Sequence, residues 1–314
     1  MASLAARLIE NVERVLLGKR EAVETTVAAL LARGHVLVED VPGVGKTVLA
    51  RALARSIQGE FRRIQCTPDL LPSDVTGVAL YNPKDLAFEF RKGPVFANVL
   101  LADEINRATP RTQSALLESM EERQVSVDGQ THALPDPFFL IATQNPVELM
   151  GTFPLPEAQL DRFLVRVSLG YPDDATETRM MLLQREAHPL ASLQPVCDSK
   201  ALSEAQQAVA RVHVQDAMAS YVQRLCAETR KHAHAAYGAS PRGSLSLMRA
   251  AQALAVIQGQ AFVTPDHVKR LAAPVLAHRI VVKPRSRVQG IDGAKVVEEV
   301  VQRVEVPIDY KPSF

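Results

Sequence analysis

The sequence predicts an α/β domain built on a mainly parallel sheet covered by helices, followed by a smaller all-helical domain. Three observations lead to this prediction. A glycine-bearing loop closed by Gly45-Lys46-Thr47 lies between a short apolar run and an amphipathic segment, which is the layout of a phosphate-binding P-loop. Strand-like and helix-like segments alternate up to about residue 170, which favours parallel strands joined by crossover helices. Beyond that point the signals are helical.

In the first half of the chain, apolar spacing predicts helices and short extended runs predict strands. Apolar residues at helical spacing predict a helix over residues 20–33, with Gly34 as its C-terminal cap. Thr109 before Pro110 predicts a helix start, and that helix continues to about Glu122. Residues 124–133 alternate around Asp128-Gly129, which is typical of a hairpin. Strands are predicted at residues 35–39, 62–65, 95–102, 138–143 and 164–169.

The sequence of the second half of the chain predicts helices. Ser240-Pro241 and Thr264-Pro265 each combine a capping residue with a first-turn proline, and so predict two helix starts. Helices are predicted at residues 174–189, 203–213, 216–236, 241–258, 265–278 and 292–304, with a linker at 189–195. We therefore divide the chain into a nucleotide-binding core at 1–173, a linker helix and loop at 174–195, and a helical lid at 196–314.

Composition limits the class of protein. The chain has 314 residues, of which 47% are hydrophobic, and a formal net charge of +1. These values fit a buried core rather than a disordered chain, and they argue against a globally basic nucleic-acid binder. The cysteines (Cys66, Cys197 and Cys226) form neither a disulfide framework nor a zinc-ligand spacing, which favours a reducing compartment. No signal-peptide core and no run of about 18 apolar residues occurs, so we expect a cytoplasmic protein without a membrane span.

The loop before Thr47 carries the chemistry of phosphate binding. Its backbone N–H groups can wrap a phosphate, Lys46 can reach the β- and γ-phosphates, and the Thr47 hydroxyl can bind Mg²⁺. The N-terminus of the following helix adds a partial positive charge at the same place. Asp40 stands where the general P-loop pattern has its first glycine. We expect nucleotide contacts from the run Pro42, Gly43, Val44, Gly45, Lys46, Thr47 and Val48.

Two acidic residues end the next buried strand. Asp103 and Glu104 follow an apolar run, and a P-loop enzyme needs carboxylates at such a strand end. Asp103 suits the Mg²⁺ shell, and Glu104 suits activation of the attacking water. A nearby acidic group, Glu118, Glu121 and Glu122, we interpret as a solvated helix face.

Taken together, these motifs resemble the MoxR family of AAA+ ATPases, and the likeness covers most of the chain. The matching segments are residues 39–47, 66–74, 102–107, 142–146, 151–163 and 238–242. The resemblance implies an ATPase that uses ATP and Mg²⁺, and Asp40 belongs to the pattern of this family.

The resemblance also implies roles for polar residues outside the P-loop. Asn145 resembles the sensor-1 residue that orients the lytic water with Glu104. Arg162 resembles an arginine finger that reaches a neighbouring subunit, the alternative being a surface ion pair with Asp161 or Glu157. Arg242 resembles sensor-2, and a bound γ-phosphate would compensate its charge at a helix N-terminus.

Further positions follow from the same likeness. The segment before the P-loop, Leu17, Gly18 and Lys19, would contact the adenine. Gln65 or Thr67 could hydrogen-bond Glu104 when no partner is bound. Residues 76–96 resemble an inserted hairpin and 124–133 the hairpin before sensor-1, and both would line a pore or a partner face.

A finger that acts on a neighbour requires an assembly, and the family expectation is a hexamer. The resemblance implies remodelling of partner proteins that carry von Willebrand factor A domains, with maturation of or metal insertion into a client enzyme complex. Two alternatives remain open at this point: a nucleic-acid-remodelling motor and a nucleotide-binding scaffold that hydrolyses nothing. We expect no nucleic-acid partner, because the net charge is near zero and no DNA-binding module is recognisable.

Overall fold

A five-stranded parallel sheet forms the centre of the first domain in a computed structural model that describes residues 2–146, 151–183 and 189–307. The strand order is β2-β5-β8-β1-β9, and every neighbouring pair is parallel. The strands are β1 (Val36–Glu39), β2 (Phe61–Gln65), β5 (Val99–Asp103), β8 (Phe139–Gln144) and β9 (Val165–Val167). Because all five run the same way, their carboxyl ends meet at one edge of the sheet.

Helices cover both faces of this sheet. Val36 and Val38 of β1 belong to the apolar cluster on one face, while Leu37 belongs to the cluster on the other. This double burial explains why the strands are continuously apolar. The helices of the core are α1 (Ala2–Glu13), α2 (Arg20–Leu31), α3 (Lys46–Ser56), α4 (Pro72–Thr76), α5 (Pro110–Glu122) and α6 (Glu157–Leu160). Helix α1 was not predicted from the sequence.

Two hairpins project from the core. The pair β6 (Gln124–Val127) and β7 (Gln130–Ala133) is antiparallel around Asp128-Gly129, as the sequence predicts. The pair β3 (Gly77–Asn82) and β4 (Ala87–Lys92) lies within the predicted insertion. Exposed apolar side chains gather near its turn, with Leu86 and Phe88 about three-quarters exposed.

The described part of the second domain is helical with one small pair of strands. Its helices after α7 (Asp174–Leu183) are α8 (Ser199–Ala210), α9 (Asp216–Lys231), α10 (Pro241–Ile257), α11 (Pro265–Leu276), α12 (Pro284–Val288) and α13 (Gly293–Arg303). Ser240 and Thr264 cap α10 and α11 through their side-chain oxygens, as predicted. The short strands β10 (Ala235–Tyr237) and β11 (Val281–Val282) pair in antiparallel fashion, which the sequence did not indicate. Single-turn 3-10 helices occupy Ile105–Arg107, Pro189–Ser192 and Ala277–Arg279.

Several predicted boundaries are corrected by the structure. The run 95–102 is a strand only from Val99, because the N–H of Val95 instead donates to the carbonyl of Val75 in α4. The predicted helix 216–236 ends at Lys231, where the chain turns into β10. Residues 184–188 of the predicted helix 174–189 lie outside the described residues.

The glycine after α2 has a different role from the one predicted. Arg33, with φ +57°, adopts the left-handed conformation that the sequence assigns to Gly34. A Cβ at Gly34 would lie 2.4 Å from Cδ2 of Leu164. The glycine is needed because the start of β1 passes close to the residue before β9.

Within the three described ranges, no helix combines the length and the apolar character needed to cross a bilayer.

Candidate active site

The P-loop lies where the sequence predicts it, between the carboxyl end of β1 and the first turn of α3. Gly43 and Gly45 have φ angles of +87° and +102°, which side chains other than glycine rarely adopt. Gly45 is also the residue before α3, and a Cβ there would lie 2.8 Å from Cδ1 of Leu16. The Lys46 ammonium donates to the carbonyl of Asp40 at 2.7 Å. The loop therefore has the backbone conformation that a phosphate cradle requires.

Asp40, the departure from the general P-loop pattern, anchors the loop. Its Oδ2 accepts from the hydroxyl of Ser168 at 3.0 Å and from the backbone N–H groups of Leu169 and Gly170 at 2.6 and 2.7 Å. Its Oδ1 accepts from the N–H of Val41 at 2.9 Å. Burial opposes ionisation, but these hydrogen bonds outweigh it and hold the pKa of Asp40 below its usual value. The carboxylate thus fixes the loop to the segment that follows β9.

Asp103 and Glu104 lie at the same edge of the sheet as the P-loop. Asp103 ends β5, and its Oδ1 accepts from the Thr143 hydroxyl of β8 at 2.6 Å. Glu104 follows with φ +56°, and its N–H donates to the same Thr143 oxygen at 2.8 Å. Thr143 therefore holds both acidic residues in place. It was not singled out in the sequence, because a threonine inside a buried strand has no local signal of such a role.

Strand β2 supplies partners for both carboxylates. Arg63 donates to Oδ2 of Asp103 at 2.7 Å and to Oε1 of Gln65 at 2.6 Å. Gln65 donates to Oε2 of Glu104 at 3.1 Å, and Arg107 also reaches that oxygen at 3.2 Å. The bond predicted from Gln65 or Thr67 is therefore made by Gln65. Sequence reasoning missed Arg63, although the period of two along β2 places it on the same face as Gln65.

Asn145 is the first residue after β8, and its side chain is buried. Because β8 lies between β5 and β1, Asn145 follows a strand flanked by those that lead to Asp103 and to the P-loop. The sheet order thus brings together the elements that carry Lys46, Glu104 and Asn145.

Gly18 and Lys19 line a cavity of about 320 Å³ beside the P-loop anchor. Its other walls include Ser168 and Leu169, which bond to Asp40. Lys19 donates to the carbonyl of Tyr171 at 2.7 Å. This volume lies within the range of small-molecule pockets, and the cavity is linked to the P-loop through the hydrogen bonds that Ser168 and Leu169 make with Asp40.

Arg162 and Arg242 lie together, at the opposite edge of the sheet. Arg162 follows α6, and its Nε is 3.1 Å from Oε2 of Glu121; Arg242, in the first turn of α10, donates to Oε1 of Glu121 at 2.7 Å. Both arginines line a cavity with Gly34 and His35, which precede β1. The P-loop begins after β1, roughly 15 Å further on at 3.3 Å per residue. Neither guanidinium is therefore near the P-loop of its own chain.

This arrangement corrects two expectations. Glu121 is not simply part of a solvated helix face, since its carboxylate bridges two guanidinium groups. The partner of Arg162 is Glu121 rather than Asp161 or Glu157. The anion that compensates Arg242 within its own chain is the same carboxylate, which lies 121 residues away in sequence. No local pattern could have indicated that pairing.

Thr47 and Asp103 carry oxygen atoms of the kind that a magnesium ion binds. Thr47 lies in the first turn of α3, and Asp103 ends β5, a strand of the same parallel sheet. Magnesium prefers hard oxygen ligands and is commonly held by one or two protein groups together with phosphate and water. Among the described residues, no cluster of three or more His, Cys, Asp or Glu side chains forms a metal cage.

Comparison with known proteins agrees with this geometry. A family profile described as "ATPase family associated with various cellular activities (AAA)" matches residues 35–165, and one described as "AAA lid domain" matches residues 227–300. Chaperone MoxR1 of Mycobacterium tuberculosis is 41% identical over 310 residues, covering 96% of this chain and 82% of that protein.

Two further relatives cover nearly the whole chain. The uncharacterized protein YeaC of Bacillus subtilis is 50% identical over 97% of this chain and 95% of its own length. A crystal structure of a candidate ATPase from Cytophaga hutchinsonii superposes with a TM-score of 0.90 at 35% identity, covering 98% of this chain and 96% of that one. The first profile matches the sheet domain, and the second matches the helical domain. Both parts of the chain therefore have counterparts in one family.

Proposed function

The chain belongs to the MoxR family of AAA+ ATPases, and on that premise we propose that it hydrolyses ATP at a site completed by a neighbouring copy, to remodel a partner protein. The observation that carries this proposal is the separation of its polar groups. Lys46, Asp103 and Glu104 follow strands at the carboxyl edge of the sheet, whereas Arg162 and Arg242 lie beyond the amino edge. The two groups can serve one nucleotide only if they come from different subunits.

In this mechanism the P-loop binds the triphosphate. The backbone N–H groups from Pro42 to Val48 would surround the phosphates, and Lys46 would exchange the carbonyl of Asp40 for a phosphate oxygen. Thr47 and Asp103 would hold Mg²⁺, which neutralises charge on the phosphates when bound. Gly18 and Lys19 would contact the adenine at the cavity that they line.

Glu104 and Asn145 would position and activate the attacking water. In the absence of a partner, Gln65 and Arg107 occupy the carboxylate of Glu104. Water activation therefore requires those hydrogen bonds to break, so the resting arrangement restrains hydrolysis.

The neighbour's Arg162 and Arg242 would neutralise charge that develops on the γ-phosphate. Both guanidinium groups already share one anion, Glu121, within their own chain. A phosphate with several oxygens is a chemically similar partner. A closed ring satisfies every such site, and we propose a hexamer.

The first test separates binding from turnover. Glu104→Gln should bind ATP with the wild-type affinity and lose hydrolysis, because the amide cannot accept a proton from water. Glu118→Gln, an exposed change on α5, is the matched control and should hydrolyse normally. Full turnover by Glu104→Gln would exclude the proposed role.

The second test asks whether the site is shared. Arg162→Ala and Lys46→Ala proteins should each be inactive, since loss of an arginine finger costs about 10³–10⁵ in turnover. Subunits mixed under exchange conditions should regain activity, because some interfaces then combine an intact P-loop with an intact Arg162. Arg211→Ala, an exposed change in the lid, should resemble wild type. Absence of recovery at every mixing ratio would contradict a shared site.

For the output of the cycle we propose remodelling of a protein with a von Willebrand factor A domain, leading to maturation of or metal insertion into a client enzyme. The support is the relationship to Chaperone MoxR1. Steady-state ATP hydrolysis should change with the concentration of a purified protein that carries a von Willebrand factor A domain. An unchanged rate and no co-elution would argue against this partner.

A further inference from the structure

Arg279, at the end of the 3-10 helix Ala277–Arg279, is a buried cation outside the nucleotide site. Its side chain is 1% exposed. Its Nη1 donates to the carbonyls of Leu164, at 3.2 Å, and Val275. Its Nη2 donates to the hydroxyl of Ser246 at 3.2 Å. The guanidinium thus joins the lid to the chain segment that leads into β9.

Other hydrogen bonds of this guanidinium go to the residues on either side of Arg162. Nε donates to Oδ1 of Asp161 at 2.7 Å, and Nη2 donates to the carbonyls of Asp161 at 3.0 Å and Phe163 at 2.6 Å. These are the residues immediately before and after Arg162. Charge-assisted hydrogen bonds of this kind are short and directional, so the backbone that carries Arg162 is fixed on both sides.

Asp161 also connects these hydrogen bonds to the helix that carries Arg242. Its second oxygen, Oδ2, accepts from the hydroxyl of Ser240 at 3.0 Å. Ser240 is the N-cap of α10, and Arg242 is the second residue of that helix. The Asp161 carboxylate therefore fixes both the backbone next to Arg162 and the N-terminus of α10, the helix that carries Arg242.

We propose that Asp161 and Arg279 are positioning residues, which fix the direction in which Arg162 and Arg242 point toward a neighbour's nucleotide. This inference rests on the proposed shared site. A buried ion pair is on average no more stabilising than a well-packed apolar pair, so stability alone does not account for one at this location. A positioning role does account for this ion pair. The planar guanidinium of Arg279 donates to three oxygens next to Arg162, and lysine could not reproduce that geometry.

The test uses Asp161→Asn and Arg279→Lys in the full-length chain. Each variant should lower kcat by about tenfold to a hundredfold, the cost of misplacing a reacting group by about 1 Å. The KM for ATP and the affinity for ATP should stay within about twofold of wild type, because neither residue touches the P-loop. Arg285→Lys, an exposed change nearby, should retain wild-type turnover.

Mixing experiments separate a positioning role from a merely structural one. Each variant mixed with Lys46→Ala subunits should regain activity, because the Lys46→Ala subunit supplies intact arginines to an intact P-loop. The same variants mixed with Arg162→Ala subunits should not rise above the reduced rate of each variant alone, because no interface then has a correctly placed arginine pair. Loss of ATP binding, or no recovery with Lys46→Ala subunits, would overturn the inference.

The reference mixture of Arg162→Ala with Lys46→Ala distinguishes this inference from the proposed function. If the reference mixture recovers but Asp161→Asn with Lys46→Ala does not, the positioning role is wrong and the shared site stands. If the reference mixture fails to recover, the shared site is wrong and the positioning role falls with it.

Discussion

Replacing Asp40 by asparagine tests whether this carboxylate anchors the P-loop. Asparagine keeps the shape of the side chain but removes the charge and one acceptor. Its amide oxygen can take the place of Oδ2, which accepts from Ser168, Leu169 and Gly170. Its NH₂ group would then face the N–H of Val41, which now donates to Oδ1 at 2.9 Å. One acceptor contact thereby becomes a clash between two donors.

The expected loss of stability follows from these four hydrogen bonds. A hydrogen bond to a charged group is worth about 1 kcal/mol more than a neutral one, so three weakened bonds lose about 3 kcal/mol. The unsatisfied N–H of Val41 costs about 1–3 kcal/mol more, and the easier burial of a neutral amide offsets part of the sum. We expect the free energy of unfolding to fall by roughly 2–4 kcal/mol.

Two measurements check this prediction. Denaturant unfolding gives the loss of stability, and titration with ATP should give a Kd raised by about tenfold, or about 1.4 kcal/mol, because a loosened loop must be ordered on binding. Ser168→Ala, which removes one neutral donor, should cost only about 1 kcal/mol. An Asp40→Asn protein within about 0.5 kcal/mol of wild type in stability, with unchanged ATP affinity, would refute the reasoning.

The stability difference between wild type and Asp40→Asn should depend on pH, and the direction of the pKa shift gives its sign. The hydrogen bonds hold the pKa of Asp40 below its unfolded value of 3.8. A carboxyl group with a lowered pKa stabilises the folded state above its unfolded pKa, and this contribution is lost as the pH falls through the folded pKa. The difference between wild type and Asp40→Asn should therefore be constant from about pH 5 to 8 and shrink in stronger acid.

Three further predictions concern single residues. Burial, followed by the charge of Arg123, lowers the pKa of His35 to about 3. Wild type should therefore lose about 1 kcal/mol more stability than His35→Gln between pH 6 and pH 5, measured by denaturant unfolding, and parallel curves would contradict this. Gly45→Ala should abolish measurable ATP binding, since its φ is +102° and a Cβ would lie 2.8 Å from Leu16; retained affinity would show that the loop tolerates another conformation. Glu121→Gln should cost less than about 1 kcal/mol of stability, because its two ion pairs are partly exposed; a larger loss in thermal unfolding would mean that the pairs support the fold.

Much of the fold and of the nucleotide site could be predicted because the signals are local. A glycine loop between a strand and a helix, two acidic residues at a strand end, and a serine or threonine before proline each act within a few residues. The P-loop, the Asp103-Glu104 pair, the hairpin at 124–133 and the caps of α10 and α11 accordingly lie where the sequence predicts. Boundaries that depend on distant packing, such as the start of β5, were displaced.

The sequence by itself determined that this chain has a phosphate loop, an acidic strand end and a helical lid, because short-range backbone preferences encode these features. Only the tertiary structure decided which charges face each other. It brought Glu121 to Arg242 across 121 residues and Arg279 to Asp161 across 118. It also placed Arg162 and Arg242 at the far edge of the sheet from Lys46. Such pairings depend on how helices and strands pack in space, and the identity of a charged residue says nothing about which distant partner will lie within about 3 Å of it.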